Sequence, residues 1–199
     1  MNLTEKEIIY STDERFDLIK ELCHLSKNLY NASLYDVRQY YFKTKSYRTW
    51  QSQWPIFTKT KNPDYYALQS HVAGEVLIQV GKQFIGFFNN KSNKKKRIPK
   101  YKDKNGYNII TFPKATISKK IEFNECKGTY TYTLCKKSYN LKIQSTKPNI
   151  KMVKFVYDET SDLIKCFKIY EIEQPKLKKD NSRYFSIDPG LNNIVSIYN

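Results

Sequence analysis

The stretch Ser186-Ile187-Asp188-Pro189-Gly190-Leu191-Asn192-Asn193-Ile194-Val195-Ser196-Ile197 determines how the carboxyl-terminal part of this chain folds. Two short apolar runs flank a proline–glycine turn, a pattern that predicts a β-hairpin with strands at 183–188 and 194–198. Asp188 stands where the first strand meets the turn. Charged residues precede the hairpin at 174–181, so residues 179–199 are predicted to be a linker and the start of a further domain.

Residues 91–178, upstream of this hairpin, carry the pattern of a β-barrel. Thr and Tyr alternate at 129–133, and Lys alternates with apolar residues at 165–170. Such period-two alternation gives a strand one buried face and one wet face, which suits an antiparallel barrel. The predicted strands lie at 107–112, 119–123, 129–135, 139–143, 152–157 and 163–173.

Residues 1–90 combine one strand with a helical block. A strand is predicted at 7–10, and residues 1–10 are assigned to the barrel. Ser11 and Glu14 match a capping box, and leucines at helical spacing extend a first helix to about Phe42. Polar and aromatic sequence around Trp50, Trp54 and Pro55 is predicted to interrupt it, and a second helix begins after residues 62–64. The fold class is therefore α+β, with a helical insertion at 11–90. The apolar stripe of the second helix comprises Leu68, Val72, Val76, Val80, Phe84 and Phe87.

The composition indicates a polyanionic partner. The chain has 35 Lys and Arg against 19 Asp and Glu, a formal net charge of +16, and 15% of its residues are aromatic. Cations that neutralise phosphates release counterions, and aromatic rings among them stack on bases. A merely soluble, lysine-rich surface is the alternative interpretation. Neither a signal peptide nor an apolar run of membrane-spanning length is found, so a cytoplasmic protein with no membrane contact is predicted.

Basic residues concentrate between the helical block and the first barrel strand that follows it, where Asp103 is the only acid. This stretch is the best candidate for contact with a nucleic-acid backbone, and a solvated loop is the alternative. Tyr101 and Tyr107 lie beside it and could stack on bases. The predicted nucleic-acid-binding residues are Lys91, Lys94, Lys95, Lys96, Arg97, Lys100, Tyr101, Lys102 and Lys104.

Other chemistry is not indicated. No two cysteines have the spacing of zinc ligands, so free thiols and no zinc site are expected. His24 and His71 are expected to be structural or solvent-facing. The sequence has no P-loop, nucleophile elbow, His-Glu-x-x-His helix or dinucleotide fingerprint. The cysteines are Cys23, Cys126, Cys135 and Cys166.

Four motifs, in this order, resemble the amino-terminal part of TnpB, a family of transposon-encoded RNA-guided nucleases related to type V CRISPR effectors. Leu29-Tyr30-Asn31-Ala32-Ser33-Leu34-Tyr35-Asp36 is similar to the family's first helix. Two further similarities are Arg97-Ile98-Pro99-Lys100-Tyr101-Lys102, and Gly106-Tyr107-Asn108 with Thr111-Phe112-Pro113. Ile187-Asp188-Pro189-Gly190-Leu191-Asn192-Asn193 resembles the family's first RuvC motif. The resemblance extends over essentially the whole chain.

The resemblance implies a fold and a set of partners. Members have a wedge-type β-barrel with an inserted helical recognition lobe, followed by an RNase H-like (RuvC) nuclease domain that uses Mg²⁺. They bind a guide RNA derived from the transposon end and cut target DNA beside a short flanking motif, in the prokaryotic cytoplasm at the nucleoid. Base pairing reads the target while the protein grips the backbone. By the same resemblance, Gln69, Ser70, Asn108 and Thr111 would contact the flanking DNA.

Asp188 matches the family's first catalytic carboxylate and, by that resemblance, would be a ligand of Mg²⁺. Two divalent cations need several carboxylates, and the later ones of the RuvC site are absent from this sequence. We therefore expect the chain alone not to cut DNA, and to need its carboxyl-terminal half or a second chain for a complete site. Two alternatives stay open. One is a non-catalytic RNA-guided DNA-binding protein, acting as a repressor or transposition accessory, and the other is a generic basic nucleic-acid-binding protein.

Overall fold

The computed structural model describes residues 1–89, 97–172, 186–188 and 196–198. Strand β1 (Asn2–Tyr10) is followed by helices α1 (Phe16–Thr44), α2 (Trp50–Lys59), α3 (Pro63–Tyr66) and α4 (Ser70–Asn89). The remaining strands are β2 (Ile110–Pro113), β3 (Glu122–Asn124), β4 (Thr129–Leu134), β5 (Leu141–Ser145), β6 (Ile150–Asp158), β7 (Leu163–Glu171), β8 (Ser186–Asp188) and β9 (Ser196–Tyr198). A 3₁₀ turn at Lys114–Thr116 follows β2. The predicted strands are present, with their ends shifted by a few residues.

All the described strands pair antiparallel, in a four-stranded sheet of order β1-β7-β6-β2, a three-stranded sheet of order β3-β4-β5, and the pair β8-β9. Strand β1 pairs along its whole length with β7, from Asn2 opposite Glu171 to Tyr10 opposite Leu163. The four helices therefore lie, in sequence, between the first strand of the sheet and the rest of it. The predicted α+β class with antiparallel sheets is confirmed.

The described strands form open sheets, and no closed barrel is found among them. An isolated bridge between Ile117 and Leu134 joins the segment after β2 to β4. The hydroxyl of Ser145 on β5 donates a hydrogen bond to the carboxylate of Glu5 on β1. These bonds connect the two larger sheets.

The apolar stripes predicted for the two long helices form the core. In α1, Leu22 and Leu29 are buried and Leu18 and Leu25 are partly buried against them. Helix α4 packs against α1 and β2, so its stripe closes the space between the helices and the sheet. The buried members of that stripe are Val72, Val76, Val80 and Phe84, with Leu68 buried just before the helix.

The beginning of α1 differs from the prediction. The capping box at Ser11 and Glu14 is not formed, and the N-cap residue is Arg15, whose side chain makes no capping bond. The carboxylate of Asp13 instead accepts a hydrogen bond from the backbone N–H of Arg15 at 2.9 Å, and also binds its guanidinium. Helix α1 therefore begins at Phe16, later than the predicted capping box implies.

Helix α1 ends at Thr44, close to the predicted Phe42, but the stretch around Trp50 and Pro55 forms a helix of its own, α2, which was not predicted. Gln53 is fully buried, and its amide nitrogen donates to the Ser33 carbonyl and to the Asp36 carboxylate, both at 3.0 Å. Arg48 forms an ion pair with Asp36 at 2.8 Å. These bonds to α1 offset the cost of Pro55, which lacks the N–H that a helix interior requires.

A charged cluster surrounds the buried Lys168 where β1 meets β7. Lys168 Nζ lies 2.7 Å from Glu7 Oε2 and 3.6 Å from Glu5 Oε1, and the Lys168 side chain is 4% exposed. Arg15 Nη2 lies 2.8 Å from the other carboxylate oxygen of Glu7. Burial by itself would raise the pKa of Glu7, but the hydrogen bonds from Lys168 and Arg15 outweigh it and lower that pKa. The cluster ties β1, β7 and the start of α1 together.

None of the helices in the described ranges is long and apolar enough to cross a membrane.

Candidate nucleic-acid interface

The basic segment, residues 97–104, runs along the surface of α1 without regular secondary structure. The backbone N–H of Asn108, just beyond it, donates to the carbonyl of Cys23 at 3.1 Å. At the other end, the Arg38 guanidinium lies 4.7 Å from the centre of the Tyr101 ring. The segment and α1 therefore run in opposite directions, and the positions of the basic residues are fixed relative to the helix.

Asn31 holds the middle of the basic segment. Its amide nitrogen donates to the carbonyl of Lys102 at 2.9 Å, and its amide oxygen accepts from the Lys102 N–H, also at 2.9 Å. We call this two-point contact the Asn31 clamp. It satisfies both backbone polar groups of one residue, which in a helix or a strand would be paired with other backbone groups. Nearby, the Lys27 ammonium donates to the carbonyl of Lys104.

Tyr30, the neighbour of Asn31, joins the basic segment to α4. Its hydroxyl donates to Gln83 Oε1 at 2.6 Å and lies 3.4 Å from the carbonyl oxygen of Lys100. Burial raises the pKa of Tyr30 despite the hydrogen bond to Gln83, so the phenol stays neutral and keeps its proton for these bonds. Lys102 Nζ lies 5.4 Å from the centre of the Tyr30 ring, within cation–π range.

Except for Lys102, which lies on the Tyr30 ring, the cations of the basic segment face solvent. Arg97, Lys100 and Lys104 are exposed, and Tyr101 is 43% exposed beside Arg38. The structure therefore brings the described members of the predicted cluster into one strip along α1. The predicted residues Lys91, Lys94, Lys95 and Lys96 lie outside the described residues.

A groove of about 330 Å³ runs between α4 and strands β2 and β6. Gln79 and Lys82 of α4 face Thr111 of β2 and Lys154 of β6 across it. Its far end reaches Gln83, the residue that Tyr30 links to the basic segment. We call this the α4–β2 groove. Thr111, which the resemblance predicts to contact the flanking DNA, lines this groove together with two lysines.

A second space, of about 370 Å³, continues this groove toward the start of α4, sharing Glu75 and Ile78 with it. Trp50, Trp54 and Tyr65 form its aromatic side, and we call it the aromatic cavity. The indole N–H of Trp54 donates to the hydroxyl of Tyr65 at 2.6 Å, which fixes the indole although Trp54 is 51% exposed. The other lining residues are Ser70, His71, Gly74, Leu77, Pro113 and Ala115.

Gln69 and Ser70, both expected to contact DNA, lie at the start of α4 and have different roles. The side-chain oxygen of Gln69 accepts hydrogen bonds from the backbone N–H groups of His71 at 2.9 Å and Val72 at 3.2 Å. Gln69 therefore caps α4, and only its amide nitrogen is turned toward other side chains. Ser70 is exposed on the wall of the aromatic cavity.

Asn108, the third of these residues, lies in the interior. It is 3% exposed, and its amide nitrogen donates to Ser26 Oγ at 3.1 Å and Gln79 Oε1 at 3.0 Å. These bonds hold α1, α4 and the start of β2 together. Contact between Asn108 and a base would require them to open.

Asp188, the predicted metal ligand, ends β8 and pairs with Ser196 of β9, and residues 189–195 lie outside the described residues. The described residues contain no group of three or more His, Cys, Asp or Glu that could hold a metal ion. Mg²⁺ prefers six oxygen ligands in octahedral geometry, so one strand-end carboxylate is not a site by itself.

The remaining candidates have structural positions. His24 packs edge-to-face on Tyr107, with ring centres 5.8 Å apart. All four cysteines are free, and burial raises the pKa of Cys23 to about 12. Cys23 also approaches the carbonyl of Phe155 at 3.9 Å, a weak contact typical of a core thiol.

Sequence reasoning did not identify the Asn31 clamp or the aromatic cavity. Asn31 gave one signal, because asparagine is a poor residue for the middle of a helix unless its side chain has a partner. Gly74 gave another, since glycine is unfavourable in a helix interior. Neither signal identifies the residues that form the clamp or the walls of the cavity.

No protein-family model matches this chain, and no curated protein matches it significantly.

Proposed function

We propose that this chain is the amino-terminal part of a TnpB-type, transposon-associated RNA-guided DNA endonuclease, and that it binds a guide RNA and the DNA flanking its target. The observation that carries the proposal is the Asn31 clamp. Asn31 and Lys102 belong to two separate motifs that resemble this family, and they hydrogen-bond to each other at both backbone atoms of Lys102. Motifs that act together in one function are expected to meet in the fold.

The basic segment suits the backbone of a guide RNA. Its cations are exposed on a support that α1 already orders, so little conformational entropy is lost when phosphates bind. Tyr101 is available for stacking, and Arg38 beside it adds a further cation. In RNA-guided recognition the protein grips the backbone and leaves the sequence to base pairing, which matches an exposed strip of lysines.

The α4–β2 groove suits the flanking DNA. Lys82 and Lys154 on its walls can bind phosphates, and the hydroxyls of Thr111 and Ser70 can contact base edges with little selectivity. In this proposal the open sheets belong to a wedge-type barrel, the helices form the recognition lobe, and β8 and β9 begin the RuvC domain. Asp188 would then be the first carboxylate ligand of Mg²⁺ once the other ligands are supplied, by a second chain or a further part of the protein.

The test is to purify the chain from prokaryotic cells carrying its native flanking DNA and to sequence the RNA that copurifies. One defined RNA from the transposon end is expected. RNA of mixed origin at every salt concentration would refute the guide and leave a generic basic nucleic-acid-binding protein. Defined RNA with target-DNA binding, but no cleavage after supply of a carboxyl-terminal half, would instead favour a non-catalytic RNA-guided DNA-binding protein.

A charge-matched pair of variants locates the RNA site. Replacing Lys100, Lys102 and Lys104 by Gln is expected to lower the dependence of log affinity on log salt by up to about 2, since each lost phosphate contact on a single strand removes about 0.7. The control removes the same charge from exposed lysines outside the basic segment and the α4–β2 groove. Equal loss in both variants would mean that only net charge matters. The control lysines are Lys6, Lys127 and Lys147.

A further inference from the structure

The aromatic cavity is open because one helical position has no side chain. Gly74 lies on its wall, in the second turn of α4, and a Cβ added there would meet no atom within 4 Å. Glycine is among the least favourable residues in a helix interior, and no close neighbour of Gly74 requires it. A larger side chain would project into the space in front of Trp54 and Tyr65. An unfavourable glycine therefore lies beside an open space with aromatic walls.

The chemistry of the walls defines what would fit. Indole and phenol rings together with Leu77 and Pro113 favour a flat, apolar group, and the cavity volume of about 370 Å³ exceeds that of a single aromatic heterocycle. Ser70, His71 and Glu75 place polar atoms around it. The cavity continues into the α4–β2 groove, whose lysines attract phosphates. A planar heterocycle attached to a polyanion meets all these conditions, whereas a purely apolar peptide would not use the lysines.

We propose that the aromatic cavity receives one unstacked base of a DNA strand lying in the α4–β2 groove, with Trp54 as its stacking surface and Gly74 as the gap that admits it. The inference rests on the proposed function, because the groove must first bind DNA. Bases leave a strand at a cost, and stacking on an aromatic side chain offsets it. The side-chain oxygens of Glu75 can accept a hydrogen bond from an exocyclic amino group or a ring N–H of such a base.

The experiment measures binding of short single-stranded DNA to the full chain freed of nucleic acid, by fluorescence anisotropy. The strands are all-thymine except for one central position, which carries adenine, thymine or an abasic sugar. Adenine is expected to bind about tenfold more tightly than the abasic strand, within the range that base–aromatic stacking contributes. A second strand with 2-aminopurine at that position reports stacking directly, since its fluorescence is quenched by a neighbouring ring.

Gly74→Leu tests the cavity without threatening the helix, because leucine is a better helix former and its Cβ has free space. The matched control is Gly86→Leu on the same helix, where an added Cβ also meets nothing within 4 Å and which does not line the cavity. Gly74→Leu is expected to abolish the preference for adenine over the abasic strand and the 2-aminopurine quenching, with Gly86→Leu unchanged. Trp54→Ala should do the same.

The possible results distinguish failure of the base-binding cavity from failure of the proposed DNA binding. If the unmodified chain binds these strands but adenine, thymine and abasic positions are equivalent and Gly74→Leu has no effect, the inference fails and the groove stays a DNA site. If no strand binds above background, the proposed DNA function fails with it. If only the RNA version of the strand loses affinity in Gly74→Leu, the cavity holds an RNA base and the assignment to DNA is overturned.

Discussion

Replacing Asn31 by Ala removes the Asn31 clamp. Two hydrogen bonds of 2.9 Å are lost, and the N–H and carbonyl of Lys102 lose their partner. Each bond contributes about 1 kcal/mol net, so about 2 kcal/mol of the free energy that keeps the basic segment on α1 should disappear. Ala is the better helix former by about 0.6 kcal/mol, which partly conceals the loss in any measurement of global stability.

Asn28→Ala is the matched control for this gain in helix propensity. Asn28 lies one turn earlier in α1, is likewise partly exposed, and belongs to the same residue type. The difference between the two variants therefore isolates the clamp. Asn31→Asp adds a graded test, since its carboxylate can still accept from the Lys102 N–H but can no longer donate to the carbonyl.

Hydrogen exchange measured by mass spectrometry is the most direct assay. If the segment opens locally, exchange of amides in 97–104 should be about 30-fold faster in Asn31→Ala than in Asn28→Ala, the factor that about 2 kcal/mol implies. Affinity for RNA should also fall, because the ordering cost is then paid on binding. Equal exchange rates in the two variants would refute the reasoning, since the segment would then be held by contacts other than the clamp.

Three further predictions concern the interior. Lys168→Met should cost about 2 kcal/mol in unfolding free energy, because Glu7 then loses one of its two charged hydrogen-bond partners and keeps only Arg15. Lys165→Met, which removes a more exposed lysine on the same strand, should cost less, and similar losses in the two variants by urea titration would contradict this. Because the pKa of Glu7 is lowered in the folded protein, its ionised carboxylate stabilises the fold above pH 4.5, the ordinary glutamate pKa, and this contribution is lost as the pH falls through the folded pKa. The unfolding free energy of Glu7→Gln should therefore depend less on pH between neutral and acid conditions than that of the unmodified chain. When the thiols of the folded chain are titrated with a thiol reagent, only the exposed Cys126 should react fast, because burial raises the pKa of the other three thiols. A second fast-reacting thiol would show that the core opens. Those protected thiols are Cys23, Cys135 and Cys166.

The long helices and most strands could be predicted from the sequence because their periodicity is local. The stripe from Val72 to Phe84 repeats every four residues and is buried as that spacing requires. Helix α2 could not be predicted in this way. Pro55 and the tryptophans argue against a helix, and the bonds that stabilise it come from Gln53 reaching across to α1.

The candidate interface could be predicted only in part, because some of its contacts join residues far apart in the sequence. Lysines can be counted in a sequence, and those described lie together as predicted. Which of them are ordered depends on contacts between residues far apart in the chain, such as Asn31 and Lys102. Gln69 and Asn108 show the converse. Amides suited to reading bases are equally suited to capping a helix or bridging a core, and only the fold distinguishes these uses.

The pairing of β1 with β7 also has a consequence for synthesis on the ribosome. Asn2 lies opposite Glu171, so roughly 160 residues must be translated after β1 before its partner exists, which takes about 10–30 s at ordinary elongation rates. During that interval α1 and α4 can already pack together, while β1 waits with both edges unpaired. Unpaired strand edges promote aggregation, so residues 2–10 are the segment that we expect a chaperone to cover while the rest of the chain is made.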